Sequence, residues 1–209
     1  MNAVELRGVW AGYDGYTVLR DVNLEVEEGV KVLFVGPNGS GKSTLLKVIS
    51  GLIRPERGEA LIYGLPAHKT EARRLVGYLP EAATPYPMLS VRMNVEYIKR
   101  LSGSLNSPGV EETLELFGLK DYEKEYPTTL SAGLNQRLAL AMTWVKGTPI
   151  VALDEPFDFL DEEAKQNLSQ LLFESKKTVI VATNMEPPFA SRFRVIHMKE
   201  LKKEMGLAL

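Results

Sequence analysis

The sequence predicts an α/β fold with antiparallel strands at its start and a helical lobe inserted in its middle, and three observations carry that prediction. Lys31 to Ser50, KVLFVGPNGSGKSTLLKVIS, reads as an apolar strand, a glycine-rich turn and a helix. Ile150 to Leu153 reads as a second buried strand, ending on the acidic pair Asp154 and Glu155. Between them, Val91 to Leu101, Val110 to Phe117 and Thr128 to Gly147 keep apolar residues at helical spacing.

Taken in order, Ala3 to Val9 and Val18 to Val26 flank the turn-rich AGYDGY and are expected to pair as antiparallel strands. Tyr13 and Tyr16 sit in that turn. An aromatic ring there either stacks on a base or covers a strand end, and spacing alone favours the second. Gly51, Pro55 and Gly58 mark a loop before a short strand at Glu59 to Tyr63. Lys69 to Leu75 is expected as a short helix and Val76 to Leu79 as a strand stopped by Pro80, with Glu81 directly after it. The breaker-rich AATPYPMLS is an ordered surface loop, in which Tyr86, Met88 and Leu89 form either a docking patch or a cover for their own domain. SGSLNSPG, Ser102 to Gly109, separates the first two helices of the lobe. Glu162 to Ser175 is a helix, Thr178 to Thr183 a strand and Arg194 to Met198 a final strand, leaving a tail too short for another domain.

Composition bounds the function classes. The 209 residues fit one domain with a substantial core. With 25 Lys and Arg against 27 Asp and Glu, net charge −2 and no long basic run, there is no electrostatic footprint for nucleic acid or an anionic membrane, so no nucleic-acid partner is expected. Cys is absent, which removes disulfides and thiolate metal sites and is compatible with a reducing cytosol. The start, MNAVELRG, has no signal-peptide apolar core, and no apolar stretch approaches the ~20 residues of a spanning helix, so a membrane role needs a partner.

The chemistry-bearing residues converge on phosphate. Gly36, Gly41, Lys42 and Ser43 satisfy G-x-x-x-x-G-K-[ST] between a strand and a helix, the context that this motif requires. The loop's glycines let the main chain approach an anion, and the helix beginning near Lys42 adds unsatisfied N–H groups and the positive end of its dipole. Lys42 reaches the β- and γ-phosphates as a point charge, and Ser43 holds Mg²⁺. Asp154, at the carboxyl end of a strand downstream of the loop, supplies the second metal anchor. Glu155 orients or deprotonates a water in line with γ-phosphate. Ser131 and Gly133 lie at the mouth of a helix, which suits either an N-cap or a phosphate contact.

These residues carry a family resemblance over nearly the whole length: the chain resembles the ATP-binding subunit of an ATP-binding cassette (ABC) transporter. GPNGSGKST, comprising Gly36, Pro37, Asn38, Gly39, Ser40, Gly41, Lys42, Ser43 and Thr44, matches the family's phosphate loop. LSAGLNQR, Leu130 to Arg137, matches its signature, and VALDEP with FLD, Val151 to Asp161, its acidic strand and following loop. The resemblance implies a P-loop NTPase cassette: a parallel-sheet core near residues 1–81 and 146–209, an antiparallel N-terminal sheet, and a helical signature lobe near 82–145. It also implies a Mg²⁺-dependent ATPase working as a head-to-tail homodimer or heterodimer. Ser131 and Gly133 of one subunit then face the ATP of the other, and Tyr13 stacks on adenine. A separate transmembrane permease is implied as partner, with the ATPase at the inner face of the membrane. Soluble repair or translation ATPases of the family need a coiled-coil insertion or a second cassette, which this length does not hold. A nucleotide-binding regulatory partner of low turnover is the remaining alternative.

Four positions depart from the family pattern. Ala132 and Leu134 stand where the signature has glycine and glutamine. Glu81 replaces a glutamine that senses Mg²⁺ and γ-phosphate and connects to the membrane partner; GYLPE is similar to the ATPase subunits of short exporters. Asn184 follows TVIVAT where the family has a histidine on γ-phosphate, and neither His68 nor His197 fills that position. Asn donates a neutral hydrogen bond but cannot become cationic, so hydrolysis through Glu155 is expected to be slowed or to need a different, intact partner subunit.

Overall fold

The computed structural model describes residues 1–104 and 106–201. The chain opens with two long strands, β1 (Asn2–Tyr13) and β2 (Tyr16–Glu27), joined by a tight turn in which Asp14 and Gly15 both have positive φ. Then follow β3 (Lys31–Val35), α1 (Lys42–Ile49), β4 (Arg57–Ile62), β5 (Leu65–Pro66), α2 (Thr70–Arg73) and β6 (Val76–Leu79). The helices α3 (Val91–Ser102), α4 (Val110–Leu116) and α5 (Ala132–Trp144) intervene before β7 (Ile150–Asp154). The chain closes with α6 (Glu162–Glu174), β8 (Thr178–Thr183), β9 (Arg194–His197) and α7 (Met198–Leu201). The expected tail beyond residue 201 lies outside the described residues.

Two sheets form. One is antiparallel in the order β2-β1-β4-β5, the other parallel in the order β6-β7-β8-β3-β9. The central parallel strands are apolar without interruption because both of their faces are buried. Phe34, Ala152, Ile180 and Ala182 face a core shared with α1 and the antiparallel sheet. Their chain neighbours Leu33, Val35, Val151, Leu153, Val179 and Val181 face a second core with α3, α5 and α6. Strand alternation alone thus assigns the two sides of the sheet to different layers.

The sheet order also places the chemistry. β7, β8 and β3 are neighbours, with Asp154 opposite Ala182 and Thr183 opposite Val35, so their carboxyl ends stop side by side. Backbone bonds continue past the strands: Glu155 N–H donates to Ala182 at 2.9 Å and Gly36 N–H to Thr183 at 3.2 Å. The phosphate-type loop, the acidic pair and Asn184 therefore meet at one edge, where open parallel sheets place their ligands.

One expected boundary holds and another shifts. The helix expected with Ser131 and Gly133 at its mouth begins at Ala132, after a separate 3₁₀ turn at Pro127–Thr129, with Ser131 in an extended cap conformation. Met198, expected to end the last strand, starts α7 instead. Among the described residues β9 pairs with β3 alone, that pairing ends at His197, and Met198 turns inward, 1% exposed, beneath the loop at Gly36. In the loop before α3, Met88 is 85% exposed, while Tyr86 packs edge-on against Tyr97 with ring centroids 5.1 Å apart. No described helix is long and apolar enough to cross a membrane.

Candidate nucleotide site

The site starts from an uncapped helix. Gly41 precedes α1 with φ 100° and offers no side-chain cap, so the first-turn N–H groups are left for a ligand. The left-handed backbone and a side-chain contact with Leu19, 3.0 Å from where a Cβ would stand, make glycine the residue this position accepts. Lys42 curls back under the loop, 6% exposed. Its Nζ donates to the Gly36 carbonyl at 2.7 Å, the Pro37 carbonyl at 3.4 Å and Asn184 Oδ1 at 2.6 Å, and lies 3.4 Å from Glu155 Oε1.

Asn184 ties the remaining groups together. Its backbone N–H donates to Glu155 Oε2 at 3.1 Å while its side chain accepts from Lys42, so Lys42, Glu155 and Asn184 form one connected unit. Glu155 holds a left-handed backbone, φ 47°, at a non-glycine residue, a strained conformation of the kind stored at functional sites. Burial pushes the Glu155 carboxyl above the usual carboxylate range, against the pull of the Asn184 N–H and Lys42.

Asp154 is 1% exposed and its Oδ1 has no hydrogen-bond partner. Burial raises its pKa, opposed by the Ser43 hydroxyl beside it, with Glu81 adding a further upward push. An orphaned carboxylate oxygen beside a hydroxyl is a hard-oxygen donor set that fits Mg²⁺, which takes one or two carboxylates and completes its shell with phosphate and water. Ser40 Oγ in the loop is likewise buried and unpartnered, a donor without an acceptor. The cleft over these groups has a volume of about 350 Å³ and includes Asn38, Gly39, Ser43, Thr44 and Glu81 in its walls.

Two of the expected contacts stand apart. Ser131 and Gly133 do not line this cleft; they start α5, where Ser131 Oγ accepts from Leu134 N–H at 3.2 Å. A Cβ on Gly133 would meet the Phe159 carbonyl at 2.8 Å, so the signature helix packs directly on the loop after the acidic strand. Tyr13 lies under Lys47, whose Nζ is 5.4 Å from the ring centroid and 3.3 Å from the hydroxyl. The aromatic wall of the cleft is instead Tyr16, 74% exposed, beside Val18.

Gln136 escaped the sequence reading. It is buried in α5 and its Nε2 donates at 3.3 Å to the carbonyls of both Glu155 and Pro156, bracing the strained turn from behind. A polar residue on the core-facing side of a helix was the available signal.

Comparison with known proteins agrees with this geometry. The family model described as "ABC transporter" matches residues 19–158, a span that contains the phosphate loop, the signature and the acidic strand but neither Tyr13 nor Asn184. The chain is similar to the ABC transporter ATP-binding protein YtlC of Bacillus subtilis, 37% identical over 80% of this chain and 66% of YtlC. It is also similar to the sulfate/thiosulfate import ATP-binding protein CysA of Synechocystis, 35% identical over 79% of this chain and 48% of CysA. The chain thus spans about half to just under two thirds of the length of these relatives. Among solved structures, the dimeric post-hydrolysis state of the ATP-binding cassette MJ0796 bound to ADP and Pi superposes with TM-score 0.80, at 29% identity and 93% coverage of both chains. An ATP-binding subunit of an ABC transporter gives TM-score 0.81 at 28% identity, covering 93% of this chain and 85% of that one. With the phosphate loop, signature and acidic strand in the same order within one fold, the chain belongs to the ABC transporter family as an ATP-binding cassette.

Proposed function

We propose that this chain binds ATP with Mg²⁺, hydrolyses it, and so drives a separate membrane permease. The observation that carries the reading is the convergence of Lys42, Glu155 and Asn184 at the open start of α1. In it Gly36, Pro37, Asn38, Gly39, Ser40 and Gly41 cradle the phosphates through their backbone, and Ser40 gains the acceptor it lacks. Thr44 supports them from the first turn. Lys42 leaves its carbonyl and Asn184 partners for the β- and γ-phosphates. Ser43 and Asp154 hold Mg²⁺, with Glu81 at its side; the bound ion would neutralise charge on the β- and γ-oxygens.

Glu155 takes the attacking water. Its raised pKa brings it nearer neutrality, where a carboxylate is a better general base. Asn184 contributes an amide where the family has a histidine, so γ-phosphate gains a neutral contact rather than an ionisable one. Ser131 and Gly133, outside the cleft of their own subunit, complete the site of a second cassette in a head-to-tail dimer. Tyr13 reaches adenine by leaving Lys47, with Tyr16 as the neighbouring wall. The division into a nucleotide core at 1–81 and 146–209 and a signature lobe at 82–145 belongs to the same reading, supported by the insertion of α3 to α5 between β6 and β7.

The permease docks on the Glu81 to Val95 segment, where Met88 and Met93 are exposed, and holds the ATPase at the inner face of the membrane. Export is the direction favoured by Glu81 within GYLPE; the similarity to an import protein such as CysA stands against it. Transport measured in vesicles of both orientations with the cognate permease decides between them.

The direct test is ATP turnover of the purified protein together with size-exclusion chromatography of Glu155→Gln in ATP. Turnover in the parent and an ATP-dependent dimer of the variant are expected. Nucleotide binding with neither turnover nor dimer would make the chain a regulatory partner whose site another cassette completes.

A further inference from the structure

At the opposite end of the parallel sheet, where β6 and β7 begin, lie two adjoining recesses of about 470 and 560 Å³. They share Arg73, Arg74, Val76 and Lys146. The size of each suits a small organic ligand. No Asp or Glu lines either one, although acids outnumber bases in the chain, 27 to 25. None of the three cations has an ion-pair or side-chain hydrogen-bond partner among the described residues.

The walls add an unmet donor: Ser50, at the end of α1, is 6% exposed and its Oγ is buried without a partner. Such a group costs free energy unless a ligand or water accepts from it. Burial also pulls the Lys146 ammonium below its ordinary pKa, the mark of a cation held without a counter-ion. Leu52 and Leu101 stand at the two ends of the recess, 51% and 63% exposed.

Three cations without partners among the described residues, an unsatisfied hydroxyl and an apolar rim describe a ligand with a multiply charged anionic head and a small organic body. We propose that this recess binds a soluble organic phosphate at a second site, remote from the phosphate loop, with Arg73, Arg74 and Lys146 on the phosphate and Leu52, on the Ser50 side, against the organic part. Arg supplies the planar fork that matches phosphate oxygens, and Lys146 supplies a point charge deeper in the wall.

The test uses the whole protein with its phosphate loop filled by a non-hydrolysable ATP analogue and Mg²⁺, in chloride buffer. Phenyl phosphate and inorganic pyrophosphate are titrated calorimetrically. A second site is expected, weakened at least tenfold by Arg73→Gln with Lys146→Met and unchanged by Lys69→Met, a nearby surface control. Hydrogen exchange of the parent gives a readout that needs no variant: phenyl phosphate should slow exchange at 70–78 and 146–148. No heat and no protection, or equal binding by the double variant, would overturn the proposal. Stronger retention on phosphatidylglycerol vesicles than binding of phenyl phosphate would overturn the soluble source in favour of a lipid headgroup.

Discussion

The starts of α1 and α5 make an instructive pair. Both start beside a serine and a glycine and both are expected to face phosphate, yet their local chemistry is opposite. α1 begins on Gly41 with no side-chain cap, whereas α5 begins on Ser131, whose hydroxyl already accepts from Leu134 N–H. α6 is closed in the same way by Asp161, which accepts from Ala164 N–H at 2.7 Å. Against a serine or aspartate cap, the glycine start of α1 forgoes roughly a few tenths of a kcal/mol of helix stabilisation. α1 gives that up and keeps its donors free, whereas α5 keeps its cap. The first is an open anion site, and the second faces a nucleotide only in the head-to-tail dimer proposed above.

The largest effect that could break this contrast is at the open helix. Lys42→Ala removes the cation under the loop, and turnover should fall by roughly 10²-fold or more, the scale of losing one charge-stabilising group in a reaction centre. Single-turnover kinetics check it; a fall below fivefold would mean that Lys42 stays with Asn184 and Gly36 when nucleotide binds. Ser131→Ala tests the closed helix on two readouts. Thermal unfolding should show a loss of about 1 kcal/mol for the missing cap. Turnover should fall about tenfold, but only at protein concentrations that support the dimer. A stability loss with unchanged turnover would leave Ser131 a cap and nothing more.

Asn184→His sharpens the comparison from beside Lys42. Restoring an ionisable group on γ-phosphate should raise turnover severalfold with nucleotide affinity unchanged. No gain would locate the slow step elsewhere.

The smallest expected effect concerns pH. The Glu155 carboxyl sits above its ordinary pKa through burial, so folded protein holds that proton more tightly than unfolded chain. The associated stability is therefore present below the ordinary carboxylate pKa and is lost as pH rises through the raised folded value. Glu155→Gln removes this dependence, and the Tm advantage of the variant over the parent should widen between pH 4 and pH 7. A constant gap would show that Lys42 and the Asn184 N–H offset the burial in full.

Much of the site was legible because its signals are local. A strand, a glycine turn and a helix with Lys42 and Ser43 at fixed offsets leave little room for another reading, and Asp154 and Glu155 announce themselves at the end of an apolar run. Gln136 was not legible because its role depends on which carbonyls lie behind a turn nineteen residues onward. Arg73, Arg74 and Lys146 look like ordinary surface cations until the sheet order brings the starts of β6 and β7 together. Tyr13 shows the same limit, since its engagement with Lys47 follows from the packing of α1 under the first turn.

By itself the sequence determined the elements, the phosphate loop, the acidic pair and the substitution at Asn184, since each depends on residues close along the chain. The tertiary structure decided which of them meet. Parallel pairing of β7, β8 and β3 brings Lys42, Glu155 and Asn184 within hydrogen-bonding or ion-pairing reach although Lys42 and Asn184 are 142 positions apart. It equally decided that Ser131 and Gly133 stay outside that cleft. Contacts of this kind arise from strand order and two-sided burial, which no local spacing encodes.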